Sequence, residues 1–237
     1  MNATGFLHSL ARDLRHASRA LWRRPSFTFA AVLTLALGIG ATTAIFSVVY
    51  SVLIKSLPFP NADELVRIRH NAPGANADDL HAPYTMYATY RDANRAFASI
   101  GLWQYADDYA TLTDSGEATR LNILIVTDGT LQALGVPPMR GRWFTKEEYA
   151  PSAEGPPPVI ISYALWQRRF GGDEATLGRA ISVSMEPRPS RVVGIMPRNF
   201  RFIDTTQPDV IIAERHVEPS DQTLGGCFCY QMLGRLN

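Results

Sequence analysis

The sequence predicts an α+β extracytoplasmic domain that follows one N-terminal transmembrane α-helix. Three observations predict it. Phe27 to Ile54 runs for 28 residues without a charge, and about 20 apolar residues are enough to cross a bilayer. Arg12, Arg15, Arg19, Arg23 and Arg24 precede that run, whereas Asp63 and Glu64 soon follow it. Cytoplasmic flanks carry the arginines and lysines, so the N-terminus is expected inside the cell and everything after Ile54 outside it. Beyond the run, short apolar stretches and helical patches mix without a regular βαβ period, which is the pattern of an α+β domain. The chain is therefore divided into a cytoplasmic amphipathic tail (1–26), a transmembrane helix (27–54) and an extracytoplasmic α+β domain (55–237).

In the tail, Leu7, Leu10, Leu14, Ala17 and Leu21 share one helical face, with Arg12, Arg15 and Arg19 opposite. An arginine-rich amphipathic helix beside a span is expected to lie in the headgroup plane. Leu7, Leu10, Leu14, Leu21 and Trp22 are thus the candidate membrane-interface residues, Trp22 as an aromatic anchor. Pro25 ends or kinks this helix before the span. The apolar run continues through Ile45, Phe46, Val48, Val49 and Leu53, well past the roughly 7–15 residues of a cleaved signal core. Arg23-Arg24 is followed by Pro25-Ser26-Phe27 and is read as a basic flank, not a twin-arginine signal. Within the span, Ala36, Gly40 and Ala44 stand four apart. A stripe of small residues lets helix backbones approach closely in lipid, so these three are the candidate helix-packing residues.

Leu57-Pro58-Phe59-Pro60 leaves the span as a stiff extended segment. Leu65 to Arg69 alternates and predicts a half-buried strand. Asn71 to Ala82 is polar and contains Pro73-Gly74, so a loop is expected. Met86, Tyr90, Ala93 and Phe97 mark one face of a helix that opens at Pro83. Short strands are expected at Ile100–Trp103 and Tyr109–Thr113, and a longer one over Arg120–Val126. Thr130–Leu134 is a brief helix stopped by Gly135, and Val136 to Phe144 is a connection punctuated by Pro and Gly. Val159-Ile160-Ile161 is an apolar strand after the Pro156–Pro158 run. Ser162 caps a helix from Tyr163 to Phe170, and Gly171-Gly172 ends it. Ala180–Ser184 and Arg191–Ile195 are expected to pair as a hairpin, and Asp209–Ala213 to be the last strand.

Lys+Arg and Asp+Glu number 23 and 22, which gives none of the basic excess of a nucleic-acid binder. His8, His16, His70, His81 and His216 are scattered and form no HExxH pattern. Asp78-Asp79 and Asp107-Asp108 sit in polar contexts and are read as solvated pairs. There is no GxSxG elbow and no GxxxxGK[ST] phosphate loop. The sequence therefore predicts no enzyme, no catalytic or metal residue and no cofactor in this chain. Cys227 and Cys229 are one residue apart, a spacing that strains a disulfide between them, and are read as two unpaired thiols.

The stretch LWRRPSFTFAAVLTLALGIGATTAIFSVVYSVLIKSLPFPNADELVRI resembles the first span and exit of MacB-like ABC transporter permeases, of the acidobacterial duplicated orphan permease type. Three later stretches extend the resemblance in the same order: Leu134 to Phe144, VIISYALWQRRFGGD at Val159–Asp173, and Val192 to Pro197. The resemblance implies a MacB periplasmic-core-like domain and a permease subunit of a transport or mechanotransmission system in the bacterial inner membrane. It implies a separate cytoplasmic ABC ATPase, which alone binds ATP, contact with membrane lipid, and pairing with a second permease copy or half. Such permeases have three further spans after the outer domain, so this chain is expected to be an N-terminal fragment with an incomplete outer domain. It also departs at Met185-Glu186-Pro187-Arg188-Pro189, where relatives carry a tight Asn-Gly turn. The alternative expectation is a membrane-anchored extracytoplasmic binding domain that acts without an ATPase.

Overall fold

The computed structural model describes residues 16, 19, 21–50, 57–75, 77–106, 110–113, 118–150, 152–186, 188–204, 206–215 and 228–237. It forms two compact units, Met1–Ser56 and Leu57–Asn237.

In the first unit, α1 (Pro25–Val49) is a 25-residue helix that starts with proline in its first turn, where the missing N–H costs nothing. Its length is roughly 37 Å at 1.5 Å per residue, close to the reach a bilayer core requires. The helix is apolar on every side and none of it is buried. Three of its hydroxyls bond within the helix: Thr34 Oγ1 donates to Ala30 O at 2.8 Å, Thr42 Oγ1 to Gly38 O at 2.7 Å and Ser47 Oγ to Thr43 O at 2.7 Å. Side chains that bond their own helix present no orphan polar group to lipid.

The second unit is built on a mixed sheet of nine strands. The strands are β1 (Leu65–Ile68), β4 (Phe97–Tyr105), β7 (Ile123–Val126), β8 (Arg140–Gly141), β9 (Pro158–Ile161), β10 (Ala180–Ile181), β11 (Ser190–Ile195), β12 (Val210–Ala213) and β13 (Gln231–Leu236). Their order is β1-β13-β4-β7-β12-β9-β11-β10, with β8 also on β11. The β12/β7 and β9/β11 pairs are parallel and the others antiparallel. Three helices accompany the sheet: α2 (Tyr84–Ala93), α3 (Thr130–Leu134) and α4 (Tyr163–Phe170).

The middle strands read Ile-Leu-Ile-Val, Pro-Val-Ile-Ile and Val-Ile-Ile-Ala, and nearly every residue in them is buried. Such continuous apolar runs belong to strands covered on both faces. One face sends Leu124, Val126, Ile160, Ile211 and Ala213 into a core with Phe59, Trp103 and Leu131. The other sends Ile123, Val159, Ile161, Val210 and Ile212 against Leu165 and Trp166 of α4. A third cluster joins Tyr87 of α2 to Ile100, Leu102 and Met232.

The predicted cap at Ser162 forms, with its hydroxyl accepting from Leu165 N at 3.1 Å, and Gly171 ends α4 at φ +62°. The predicted hairpin forms only at its first two residues, Ala180 facing Arg191 and Ile181 facing Ser190; Val183 bridges Leu112 instead. Four expectations are corrected. The polar 71–82 segment holds a hairpin, β2 (His70–Ala72) and β3 (Ala77–Leu80), fastened by polar contacts: Asn71 Oδ1 accepts from Asp79 N, and Arg69 pairs with Asp79 at 3.3 Å. The helix expected to reach Phe97 stops at Ala93, because Asn94 Oδ1 accepts from Phe97 N at 2.8 Å and turns the chain into β4. Arg120–Val126 is two strands, β6 (Thr119–Leu121), paired with β5 (Ala110–Leu112), and β7. They divide at Asn122, whose backbone N donates to Asp209 Oδ2. Finally, Asp209–Ala213 is not the last strand: β13 follows it and lies between β1 and β4.

Candidate functional site

Ala36, Gly40 and Ala44 lie on α1, all exposed, and nothing stands within 4 Å of the place a Cβ on Gly40 would take. The stripe is therefore open to close approach by another backbone. Leu21 and Trp22 are exposed, Trp22 at 88%, and line an open groove with Pro25, Thr28, Phe29 and Val32. Leu7, Leu10 and Leu14 lie outside the described residues. So do His8, His216, Asp107, Asp108 and Cys227.

The outer unit begins with a braced segment. Pro58 and Pro60 flank Phe59, whose ring is buried in the first core cluster. Asn61 then adopts a left-handed backbone, φ +45°, and its Nδ2 donates to Glu64 Oε1 at 3.2 Å. One arginine from the other end of the chain fixes this turn. Arg235 Nη2 donates to Pro60 O at 2.8 Å, and Nη1 donates to Asn61 O and to Glu64 Oε2, both at 3.0 Å. Its Nε donates to Ala133 O of α3 at 2.8 Å. The guanidinium uses its rigid fork of donors, and its side chain is only 13% exposed. Residues 60–64, β13 and α3 are thus one mechanical piece.

A second polar knot holds α3 to β4. Thr127 Oγ1 accepts from Leu102 N at 2.8 Å, and Thr130 Oγ1 donates to Leu102 O at 2.7 Å, all buried. The approach is so close that glycine is required on both sides. A Cβ on Gly101 would stand 2.2 Å from Thr130 Oγ1, and one on Gly129, at φ +88°, would stand 2.2 Å from Ile100 O. Tyr87 Oη donates to Asp128 O at 2.8 Å and ties α2 to the same turn.

Among the described residues, two clefts of the outer unit stand out. One, of about 310 Å³, has Trp103 and Leu233 among its lining residues with Arg67 and Asp204 at its polar side. Trp103 Nε1 is buried with no hydrogen-bond partner among the described residues. The other, of about 400 Å³, is lined by Arg168, Arg198, Arg201 and Asp209.

Among the described residues, the titratable groups singled out in the sequence do not converge. His70 stacks on the Tyr90 ring, 5.7 Å between centroids, and burial lowers its pKa. His81 is lowered by burial and then by Arg69 and Arg67. Asp79 pairs with Arg69 at the surface. Burial pushes the Tyr230 phenol up to about 12, with the Glu214 carboxylate beside it. No three His, Cys, Asp or Glu gather into a metal-binding group among the described residues. Cys229 is disulfide-bonded and no described cysteine is free. This overturns the reading of two unpaired thiols, which rested on the strain of a one-residue spacing; Phe228 and Cys229 lie in a turn. Arg235, Glu64 and the three arginines of the second cleft were not legible beforehand, since single charged residues in polar contexts carry no periodic signal.

The comparisons agree with this architecture. The family described as MacB-like periplasmic core domain matches residues 28–224. No curated protein matches the chain. Among solved structures, a permease-protein domain from Porphyromonas gingivalis superposes with a TM-score of 0.54 at 18% identity, covering 76% of this chain and 77% of that one. The extracellular domain of the noncanonic ABC-type transporter YknZ from Gram-positive bacteria gives 0.50 at 14%, covering 73% and 82%. The periplasmic region of MacB from Actinobacillus actinomycetemcomitans gives 0.50 at 11%, covering 73% of each. Identities this low establish the shared fold. With an apolar helix leading into such a domain, the chain belongs to the MacB-like periplasmic core domain family, the membrane-anchored outer domains of ABC-type permeases.

Proposed function

We propose that this chain is part of the permease subunit of a MacB- or FtsX-like ABC transport or mechanotransmission system. A separate cytoplasmic ATPase binds the ATP and drives movement of the membrane helices; this chain contributes no catalysis and no cofactor site. It sits in the bacterial inner membrane with its N-terminus in the cytoplasm and the outer unit in the periplasm. The span packs through Ala36, Gly40 and Ala44 against other permease helices, including those of a second copy or half.

One observation carries the reading. Residues 60–64, near the start of the outer unit, are clamped by Arg235 to β13 and α3. A displacement delivered through Leu57 reaches the sheet as a rigid movement instead of being absorbed by a loose linker. Stiffness at this entry suits a domain that passes movement on. The arginines before α1 support the orientation by the positive-inside rule. The alternative, an anchored binding domain without an ATPase, draws on the two clefts.

Protease added to intact spheroplasts tests the arrangement. The reading predicts loss of a tag placed after Asn237 and survival of a tag placed before Met1. The reverse pattern contradicts it.

A further inference from the structure

Four strand ends meet at one edge of the outer unit. β9 runs into Ser162 and α4, and its parallel neighbour β11 runs into Met196, Pro197 and Arg198. Asn122 and Asp209 stand immediately before β7 and β12. The cleft among them, about 400 Å³, is within the size range of small-molecule pockets. It also lies outside the carboxyl ends of a parallel strand pair, where α/β sheets take ligands.

Its charge is one-sided. Arg168, Arg198 and Arg201 line it against a single carboxylate, Asp209. That carboxylate is already engaged, with Oδ1 accepting from Arg168 Nη2 at 3.0 Å and Oδ2 from Asn122 N at 3.1 Å. Arg198 and Arg201 have no ion-pair partner among the described residues; Arg198 lies over the Tyr163 ring, 5.9 Å from its centroid. Both are exposed, so neither is placed there to fill a core. Two like charges gathered without a counter-charge repel each other. The apolar side of the cleft is supplied by the half-buried Pro197 and Phe200.

Guanidinium forks suit planar, bidentate recognition of phosphate or carboxylate. A phosphate monoester carries a charge of about −1.5 to −2, which matches two unengaged arginines, whereas a carboxylate neutralises one. We propose that this cleft binds a phosphate ester through Arg198 and Arg201, with the ligand's apolar part lying on Pro197 and Phe200. The same chemistry is offered by a soluble organophosphate and by a phospholipid headgroup. The site is independent of the coupling role given above.

The test is calorimetric titration of the full chain, in uncharged detergent, with glycerol 3-phosphate and with dihexanoyl phosphatidic acid. Saturable millimolar or tighter binding of glycerol 3-phosphate assigns a soluble phosphate ester, and binding of the phosphatidic acid alone assigns a lipid headgroup. In either case R198Q/R201Q is expected to weaken binding by about tenfold or more, while Lys146→Gln, outside the cleft, leaves it unchanged. All these positions are exposed, so the variants are expected to fold. Absence of saturable binding to both probes, or equal binding by R198Q/R201Q, overturns the proposal. Binding of a glutamate-rich peptide in place of both phosphates also overturns it and reassigns the cleft to an acidic protein segment.

Discussion

Arg235 and Glu64 stand 171 positions apart in the chain, yet Arg235 Nη1 donates to Glu64 Oε2 at 3.0 Å. The pair closes the first turn of the outer unit onto its final strand, since Leu65 lies opposite Arg235 in the β1/β13 ladder. The carboxylate is the lesser part of the clamp, because three backbone carbonyls accept from the same guanidinium.

This ranking predicts unequal mutations. Arg235→Ala leaves the Ala133, Pro60 and Asn61 carbonyls without their donor, and is expected to cost about 2–4 kcal/mol. That corresponds to a fall of roughly 5–12 °C in melting temperature for a domain of this size. Glu64→Gln removes only a part-exposed partner and is expected to cost about 0.5–1 kcal/mol. Thermal melts of the two variants check the order; equal effects would contradict it.

Two glycines with similar backbones should behave differently. Gly129 at φ +88° faces Ile100 O, whereas Gly178 at φ +82° has open space where a Cβ would go. Gly178→Ala pays backbone strain alone, about 1–2 kcal/mol. Gly129→Ala adds a collision with main chain and is expected to exceed about 3 kcal/mol. Urea unfolding separates them.

Acid should weaken the outer unit in two windows. His70 and His81 have pKa values lowered below 6.5 by burial. The unfolded chain therefore takes up those protons first, so their contribution is whole above pH 6.5 and is lost as pH falls below it. Glu148 is lowered below 4.5, first by its hydrogen bonds from Arg142. Its contribution is present above pH 4.5 and is lost as pH falls through the folded value. Melting temperature followed from neutral pH to about pH 3.5 checks both windows. H70Q/H81Q should flatten the upper one and Arg142→Gln the lower one.

The span is testable by a single charge. Leu37 is 65% exposed on α1, and Leu37→Arg is expected to cost roughly 3 kcal/mol of insertion at mid-helix. The variant should be extracted from membranes at alkaline pH, where the wild-type chain stays.

The parts legible in the sequence were those governed by local chemistry. Pro25, Ser162 and Gly171 mark helix ends through backbone rules that act within a few residues, and the uncharged run announced α1. The parts that were not legible depend on partners far away. Gln-Met-Leu-Gly-Arg-Leu has little β-branched character, and it becomes β13 because β1 and β4 present two ladders to it. Gly234 leaves room there for the Phe97 ring, which would stand 2.7 Å from a Cβ. The 70–80 hairpin lacks an apolar face and is held by Asn71 and Arg69, so no alternation betrayed it. Arg235 looked like any terminal arginine until the turn at residues 60–64 was folded against it.

Purification of the tagged chain from the membranes of its own host, in mild detergent, tests the central claim most directly. The account predicts that an ABC-type ATP-binding subunit is recovered in stoichiometric amount and that the preparation hydrolyses ATP. Recovery of the chain from the membrane with no ATP-binding subunit would contradict it and leave an anchored binding domain.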